Sequence, residues 1–364
     1  MIYIGLMLKK VINIGLSSRI TIILFAIFRE QSKLKFGLLF FILLINCSNP
    51  TYKKLSVEKL IPLTDLNTEY NDYNSAGPQS LNFYIEIIYS SDYPSKGQNF
   101  DICKGDINWY SYYKGENYEG EYLEARRSGI FHSKLVNSNS NEFGPYFINF
   151  NQLLFSSDRT IDSSDCSNDC NIYLYDYGGE YEDGRGEKLY YFFGNSDNSN
   201  EKYPSIGPDN YLYFASDNNI DNKYKIYRVK IDQNDDFLSW FTDLDNIKNI
   251  ELLDNINSDG NSTCPYIQND VMIFASDRDG GYGGYDIYYA YYINEKWTKS
   301  TNIGPLINSE FNEFRPSLYQ LYKSSSSYFG KKLQKYGVIF SSDRDGGKGG
   351  FDLYFAMLKE EYRK

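Results

Sequence analysis

One short motif recurs five times along this chain at nearly regular intervals. A Ser-Asp pair follows a run of aromatic or β-branched residues in IIYSSD, LLFSSD, LYFASD, MIFASD and VIFSSD. The aspartates of these pairs are Asp92, Asp158, Asp217, Asp277 and Asp343, and consecutive ones are 66, 59, 60 and 66 residues apart. Because such a period is typical of repeat architectures, we expect one supersecondary unit for each copy of the motif.

A second aromatic run follows each Ser-Asp pair. The first is INWYSYY from Ile107, and later ones include NIYLYDY from Asn171 and YDIYYAYY from Tyr285. Short alternating runs joined by polar, Gly-rich turns are typical of β-hairpins. The chain contains 37 Tyr and 24 Phe among 364 residues, and aromatic residues favour half-buried strands. The sequence therefore predicts an all-β fold.

A second signature precedes each hairpin. An Asn-Ser pair stands eight residues before a proline in VNSNSNEFGP, INSDGNSTCP and INSEFNEFRP, which end at Pro145, Pro265 and Pro316. The pattern has one added residue before Pro204 and three added residues before Pro78. We expect each proline to start a strand, where its missing N–H costs no ladder hydrogen bond.

The order of these pieces predicts how the structure closes. Linkers and hairpins alternate, and each unit has sequence for four strands except the last, which lacks its fourth. A spare segment, residues 52–66, precedes the first linker. We therefore predict a β-propeller of four-stranded blades, with five blades preferred over six, closed by an N-terminal strand in the last blade.

The repeats resemble the TolB-type, WD40-like β-propeller repeats of bacterial envelope proteins. The shared pattern is a proline-led strand, an aromatic-Ser-Asp turn, a Gly-rich stretch and Asp-Ile-Tyr. Residues 265–288 and 316–354 match it best, and the resemblance covers residues 52–358 with a weak first unit. It implies a protein-binding or scaffolding module of the cell envelope.

The first fifty residues contain a targeting signal. FGLLFFILLI, residues 36–45, follows Lys33 and Lys35 and is too short for a typical membrane span. The cysteine that follows it, Cys47, resembles the lipidated cysteine of bacterial lipoproteins; an uncleaved anchor is the alternative. We predict a targeting region at 1–46, whose true start lies near Leu34 in one hypothesis, a lipidated N-terminus at 47–51 and one propeller domain at 52–364.

Composition excludes several classes of function. The chain has 48 acidic and 37 basic residues, a net charge of -11, which repels nucleic acid. Its single histidine, His132, stands beside no nucleophile motif and leaves no His-based metal cage. We expect no cofactor and a monomer attached to a membrane only through its lipid, preferably the outer membrane, facing the periplasm or the outside.

The acidic turns have two interpretations. Asp277-Arg278-Asp279-Gly280 and the matching run with Asp343 and Asp345 are weak candidates for calcium, because hard cations prefer clustered carboxylates. An arginine lies among the would-be ligands, however, and a glycine occupies the next ligand position. We therefore predict that the five Ser-Asp aspartates are structural residues that bond backbone N–H groups of their turns.

Two of the cysteines are spaced so that a disulfide bond between them would close a small loop. Cys166 and Cys170 bracket three residues of a polar turn, so we name them as a disulfide candidate in an exported protein. A zinc half-site and two free thiols remain the alternatives.

The predicted function is binding without catalysis, so the sequence predicts no catalytic residues and no enzyme. An envelope protein is the expected partner, and three irregular insertions are expected to contact it: Tyr112–Arg127, Asp176–Asn200 and Lys323–Lys335. The alternative is a propeller glycosidase or other carbohydrate-active protein that uses carboxylates around the central channel.

Overall fold

A computed structural model describes residues 10–12, 22–24, 42–43, 52–77, 80–81, 84–114, 117–160, 166–178, 186–192, 199–232, 236–243, 249–321 and 335–363. The chain divides into two compact units, one of residues 1–54 and 361–364 and one of residues 55–360. In the first, β1 (Lys10–Ile12), β2 (Ile22–Leu24) and β3 (Ile42–Leu43) form an antiparallel sheet. Cys47 and most of the predicted targeting region lie outside the described residues. Within the described part, no helix is long and apolar enough to cross a membrane.

The remaining elements are almost all strands, because aromatic and β-branched residues dominate them. One short helix, α1 (Phe237–Phe241), is capped by Asp236, whose side chain accepts a hydrogen bond from the N–H of Ser239. The strands in chain order are β4 (Tyr52–Pro62), β5 (Asp72–Ala76), β6 (Ser80–Leu81), β7 (Tyr84–Ser91), β8 (Asp101–Lys114), β9 (Asn117–Ile130), β10 (Glu142–Phe147), β11 (Gln152–Arg159), β12 (Cys166–Tyr177), β13 (Glu187–Tyr191), β14 (Glu201–Ile206), β15 (Tyr211–Ser216), β16 (Lys225–Lys230), β17 (Glu251–Leu252), β18 (Ser262–Gln268), β19 (Val271–Ser276), β20 (Asp286–Ile293), β21 (Lys296–Trp297), β22 (Thr301–Asn302), β23 (Glu313–Leu321), β24 (Lys335–Ser342) and β25 (Asp352–Arg363).

These strands form five blades. Blade 1 has the order β5-β7-β8-β9, blade 2 β10-β11-β12-β13, and blade 3 β14-β15-β16-β17. Blade 4 is β18-β19-β20-β21, with β22 also pairing with β20, and blade 5 is β23-β24-β25-β4, with β6 beside β23. The inner strands β5, β10, β14, β18 and β23 each contact two others and so close a ring. The predicted five-bladed propeller is confirmed.

The N-terminal strand closes the ring as the sequence predicted. Strand β4 lies next to β25 in blade 5, at the outer edge of a sheet in which β23, β24 and β25 come from the end of the chain. The N–H of Leu63 donates to the carbonyl of Leu353 at 2.9 Å. Leu55, Leu63 and Leu66 are buried, at 0–1% exposure, so the closing segment contributes to the core as well as to the sheet.

All five inner strands have a β-bulge at the same position. In blade 1, Tyr73 pairs with Ser90 and Ala76 with Ile88, so two residues of β5 oppose one residue of β7. The other four inner strands repeat this offset. The first bulge residue has a positive φ in each blade: Asn74, Gly144, Tyr203, Cys264 and Arg315. A bulge re-aims side chains, and here it does so in every blade around the axis.

The bulge corrects the predicted role of the prolines. Pro145, Pro204, Pro265 and Pro316 follow the positive-φ residues and therefore lie inside the inner strands, not at their starts. They fit there because the second residue of a bulge needs no ladder hydrogen bond. In blade 1, Ser75 takes the place of the proline, eight residues after Asn67. The linker therefore has the same length as in the other blades. Pro78, which lies outside the described residues, is not the counterpart of the other prolines.

Blade 1 also matches the other blades at a different place from the one predicted. The sequence comparison matched INWYSYY from Ile107 with the third strands of the other blades. The pairing instead aligns Asp101 with Ser91, as Asp352 pairs with Ser342 in blade 5. Phe100-Asp101-Ile102 is therefore the counterpart of Phe351-Asp352-Leu353, and only the Gly-rich turn before it is absent.

Two of the three predicted insertions contain regular structure. Tyr112–Arg127 lies in the long hairpin formed by β8 and β9, which extends blade 1. Asp176–Asn200 includes β13, the outer strand of blade 2. Lys323–Lys335 lies outside the described residues except for its last residue, which begins β24.

Candidate functional site: an aromatic platform at the axis

The five Ser-Asp aspartates make the same contacts in every blade. Each accepts two hydrogen bonds from an asparagine directly before the inner strand of its own blade, one from the backbone N–H and one from Nδ2, at 2.6–2.8 Å. The pairs are Asp92–Asn71, Asp158–Asn141, Asp217–Asn200, Asp277–Asn261 and Asp343–Asn312. Both carboxylate oxygens are therefore engaged in holding the linker.

Each of these asparagines also joins two blades. Its Oδ1 accepts a hydrogen bond, at 2.8–3.1 Å, from an N–H of the preceding blade that lies in the third strand or directly before it. The donors are Phe351, Phe100, Cys170, Tyr224 and Tyr285. The Ser-Asp motif thus orients an amide that links neighbouring sheets.

The metal candidates do not come together. Asp277 and Asp343 hold Asn261 and Asn312, whereas Asp279 and Asp345 are exposed. Among the described residues, no group of three or more His, Cys, Asp or Glu side chains could hold a metal ion. Gly283 is required by packing rather than by a ligand, because an added Cβ would lie 2.1 Å from the carbonyl oxygen of Phe311.

The linker asparagines form a second set of links between blades. Asn67, Asn137, Asn257 and Asn308 each accept from the N–H and donate to the carbonyl of one third-strand residue, at 2.7–3.1 Å. Each asparagine amide thereby pairs with the backbone of the third strand, as the backbone of a neighbouring strand would. The fifth linker asparagine, Asn195, lies outside the described residues.

Sequence reasoning missed a ring of buried carboxylates at the starts of the inner strands. Asp72, Glu142, Glu201 and Glu313 each accept a hydrogen bond from the serine of the Ser-Asp pair in their own blade. Blade 4 has Ser262 instead. The signal was present, since Glu-Phe precedes Gly-Pro and Arg-Pro in two of the linkers. Burial raises the pKa of Asp72 to about 6.

Two of these carboxylates pair with arginines of the turns. Arg159 Nη2 lies 2.7 Å from Glu142, and Arg344 Nη2 lies 2.8 Å from Glu313. Burial nevertheless raises the pKa of Glu142 above its ordinary value. These pairs lie inside single blades, so they stabilise the fold and leave the axis to other side chains.

Seven partly exposed aromatic residues form a platform at the end of the axis where the inner strands begin. Three are the second residues of inner strands, and four stand directly before third strands. The platform consists of Tyr73, Phe100, Phe143, Tyr224, Tyr285, Phe314 and Phe351. The ring of Tyr73 lies 5.0 Å from Phe100, 6.1 Å from Phe143, 6.2 Å from Phe314 and 5.7 Å from Phe351. Tyr285 packs edge-on to Phe314 at 5.0 Å.

One cation completes the platform. Lys202 Nζ lies 5.6 Å from the ring centre of Phe143 and 5.7 Å from that of Tyr224. Such distances permit cation–π attraction, which fixes the lysine over the aromatic surface. Burial raises the pKa of Tyr73 to about 12, so its hydroxyl is a neutral donor at physiological pH.

Side chains from opposite blades fill the axis beneath the platform. Tyr203 of blade 3 packs edge-on against Phe314 of blade 5 at 6.1 Å, and Tyr146 of blade 2 packs against Tyr266 of blade 4 at 5.8 Å. The carboxylates of the described inner strands bond within their blades, so none of them reaches the axis. A ligand at this end would therefore rest on aromatic rings rather than enter a carboxylate-lined channel.

Asp101 has a different environment from its counterparts in blades 4 and 5, Asp286 and Asp352. Asp286 and Asp352 accept backbone hydrogen bonds from their Gly-rich turns. Blade 1 lacks that turn, and Asp101 is partly exposed beside Phe100 of the platform. Burial raises the pKa of Asp101 to about 6. A carboxyl with such a pKa can donate a proton near neutral pH.

The described residues do not test the predicted bridge between Cys166 and Cys170. Cys170 is buried, and burial raises the pKa of its thiol to about 12. The side chain of Cys166 lies outside the described part, so a bridge between the two stays a prediction. Cys103 and Cys264 are buried free thiols.

A groove of about 450 Å³ lies at the other end of blade 2. Asn149, Phe150 and Gln152 line it together with Asp176 and Tyr177. Phe150 is fully exposed, and it follows the inner strand at the end away from the platform. This groove is the alternative place for a ligand.

Comparison with known proteins places the chain by its fold alone. No family model matches it, and no curated protein matches it. The TolB-type resemblance therefore stays a prediction. An α-L-arabinofuranosidase from Podospora anserina in complex with cellotriose is similar, with a TM-score of 0.44 and 10% identity over 85% of this chain and 97% of that one.

Two further solved structures are similar to the same degree. A family 117 glycoside hydrolase from Zobellia galactanivorans has a TM-score of 0.41 and 10% identity over 85% of this chain and 91% of that one. An α-L-arabinofuranosidase from Lactobacillus brevis has a TM-score of 0.42 and 10% identity over 84% and 92%. At this identity the likeness extends to the fold only.

The prediction that the chain is not an enzyme is not upheld, because glycoside hydrolases are among the solved structures to which the chain is similar. Fold alone does not decide function, so the propeller gives no reason to exclude catalysis. The expected protein partner is not tested by these comparisons and stays a prediction.

Proposed function

We propose that this protein is a carbohydrate-active propeller that binds a saccharide on the aromatic platform. The observation that carries the proposal is the platform itself, in which seven partly exposed aromatic side chains from all five blades meet at one end of the axis. Aromatic faces carry partial negative charge, so they attract the C–H faces of sugar rings. The platform therefore suits an uncharged ring better than a polyanion.

Polar groups beside the rings supply the directional contacts. The amine of Lys202 lies over the rings of Phe143 and Tyr224 and can donate to a bound saccharide. Ligand sites generally combine apolar walls with a few polar groups that fix orientation. A sugar ring that rests on Phe143 has Lys202 beside it as a donor to its hydroxyl groups.

Asp101 is the carboxyl we expect to act if the bound saccharide is cleaved. It is next to Phe100, and with a pKa of about 6 about a tenth of it is protonated at pH 7, far more than for an ordinary aspartate. Its counterparts Asp286 and Asp352 are fully buried in turn bonds and are unsuited to this role. Asp101→Asn should remove turnover and retain binding.

The first experiment is calorimetric titration of arabinose- and glucose-containing oligosaccharides into the purified full chain, with product analysis of each mixture. For a saccharide that binds, Phe143→Ala should weaken affinity about tenfold or more, a loss of about 1.4 kcal/mol. Phe150→Ala is the matched control, because it removes an exposed phenylalanine from the same blade at the other end.

The outcomes separate the two surfaces. Loss of affinity in Phe143→Ala with unchanged affinity in Phe150→Ala supports the platform. Loss in Phe150→Ala alone assigns the ligand to the groove. A panel in which no saccharide binds or is cleaved contradicts the proposed function.

Attachment to a membrane through Cys47 is a separate proposal. It is motivated by the apolar run and the cysteine that follows it. Metabolic labelling with an alkyne fatty acid should mark the wild-type protein, whereas Cys47→Ser should remain unlabelled and should leave the membrane fraction. Equal labelling of both proteins would contradict it.

A further inference from the structure

A buried arginine without an acidic partner lies at the centre of the propeller. Arg315 is 0% exposed, and its Nε and Nη1 have no hydrogen-bond partner among the described residues. Its Nη2 makes one long contact, 3.4 Å to the carbonyl of Pro145 in blade 2. A guanidinium stays charged in proteins, so this charge cannot be removed by deprotonation. An unpaired buried charge is costly unless something compensates it.

The groups around Arg315 carry no negative charge. Its guanidinium lies 5.3 Å from the ring centre of Tyr203, and Tyr266 and Tyr319 are also close to it. Burial raises the pKa of each of these tyrosines. Burial likewise raises the pKa of the Cys264 thiol to about 12. All four groups are neutral at physiological pH, so none of them offsets the charge of the guanidinium.

A second unsatisfied side chain lies at the same level of the adjacent blade. Asn74 is the bulge residue of blade 1, as Arg315 is of blade 5, and both polar atoms of its amide are buried without a hydrogen bond. The two strands touch directly above this level, where Tyr73 and Phe314 pack 6.2 Å apart. They touch again below it, where the hydroxyls of Ser75 and Ser317 are 2.9 Å apart. Arg315 and Asn74 are therefore bulge residues of adjacent inner strands at the same level of the axis.

A serine of blade 5 adds a third group. Ser341 pairs with Phe314, and its buried hydroxyl has no partner in the described structure. The equivalent serine of blade 2, Ser156, accepts a hydrogen bond from the N–H of Tyr203 in the next blade. By this equivalence, Ser341 points toward the bulge that contains Asn74. The hydroxyl, the amide and the guanidinium all supply donors.

We propose that Arg315, Asn74 and Ser341 hold a small monovalent anion, of halide or carboxylate size, inside the propeller beneath the aromatic platform. The guanidinium supplies the charge, and the amide and hydroxyl supply neutral donors of the kind that complete an anion's coordination. The position of the site inside the propeller limits the size of the anion, because packed side chains fill the axis above and below it. The site is distinct from the saccharide platform and holds whether or not a saccharide binds.

Two measurements on the intact protein test this site. Crystals soaked in sodium bromide should show an anomalous peak in contact with Arg315. In parallel, the melting temperature of the wild type should rise by a few degrees when chloride, bromide or acetate replaces isethionate, a larger sulfonate, at constant ionic strength, because an anion that binds only the folded state stabilises it.

Variants separate specific binding from general salt effects. Arg315→Met removes the charge and keeps a long side chain at the same positive φ; it should melt at the same temperature in all four salts. Lys202→Met, which removes a cation from the platform, should keep the wild-type anion dependence. Absence of a bromide peak at Arg315, or equal anion dependence in wild type and Arg315→Met, would overturn the proposal. The soak requires no variant, so a variant that fails to fold does not leave the question open.

Discussion

The turns of this propeller repeat the same side chains in every blade, whereas its axis has a different side chain in each blade. At the turns, five aspartates hold five asparagines with the same pair of hydrogen bonds, and each asparagine reaches the preceding blade in the same way. At the axis, the same bulge holds Asn74, Gly144, Tyr203, Cys264 and Arg315. Backbone geometry is repeated in both regions, whereas side-chain chemistry is repeated only at the turns.

This difference separates folding from recognition. Five equal sheets need equal links between them, so the polar residues that make the links recur. A ligand on the axis touches all blades at once and meets five different side chains there. We therefore expect substitutions at the turns to change stability and substitutions at the platform to change binding.

The largest expected effect is at the Ser-Asp aspartates. Asp343→Ala removes two hydrogen bonds from Asn312 to a carboxylate, at 2.8 Å each. We expect a loss of about 4 kcal/mol in the free energy of unfolding, measured with urea, because bonds to charged groups are worth about 1.5–3 kcal/mol each. Asp345→Ala, two residues away and exposed, is the control and should change stability by less than about 0.5 kcal/mol. Equal effects would show that the turn acts through its overall charge.

The next effect depends on pH. The pKa of Asp72 is raised from 3.8 to about 6, so folding favours its protonated form. This contribution to stability is fully present below pH 3.8 and is lost as pH rises through 6, a change of up to about 3 kcal/mol. Asp72→Asn should remove this part of the pH dependence, as determined from urea unfolding between pH 4 and 7. A variant with the wild-type slope would show that Asp72 does not titrate with a raised pKa.

The turn arginines of blades 4 and 5 have different partners, which can be exchanged by substitution. Arg344 pairs with Glu313 in blade 5, whereas Arg278 of blade 4 has Ser262 at 3.1 Å in the same place. Glu313→Ser should cost about 2 kcal/mol of unfolding free energy, because it leaves a partly buried guanidinium without its acid. Ser262→Glu, the reverse change, should stabilise blade 4 by about 1 kcal/mol. Thermal unfolding of both variants checks this, and destabilisation by Ser262→Glu would contradict the equivalence of the two positions.

The smallest effect on stability is expected at the platform. Lys202 is partly exposed, and its amine lies at cation–π distance from the rings of Phe143 and Tyr224. Lys202→Met should change the free energy of unfolding by less than about 0.5 kcal/mol. It should nevertheless weaken saccharide affinity in the calorimetric titration. A large loss of stability would make the platform part of the folding framework.

The sequence predicted the repeated region well because equivalent residues of the five blades recur at regular spacing. Five Ser-Asp pairs and five linkers were enough to predict the blade count and the closing role of residues 52–66. Spacing does not say which way a side chain points, and the bulge changes the alternation of β-strands at the positions that reach the axis. Arg315 therefore looked like an ordinary residue before a proline. Ser75 was missed because it replaces proline in an otherwise regular linker.

The central claim is that recognition occurs on the unrepeated platform. Hydrogen-exchange mass spectrometry of the full chain, with and without a saccharide that binds, tests it most directly. Protection is expected in peptides that contain Tyr73, Phe100, Phe143 and Phe314, with unchanged exchange at residues 149–152 and 176–178. Protection confined to residues 149–152 and 176–178, with none at the starts of the inner strands, would contradict the claim.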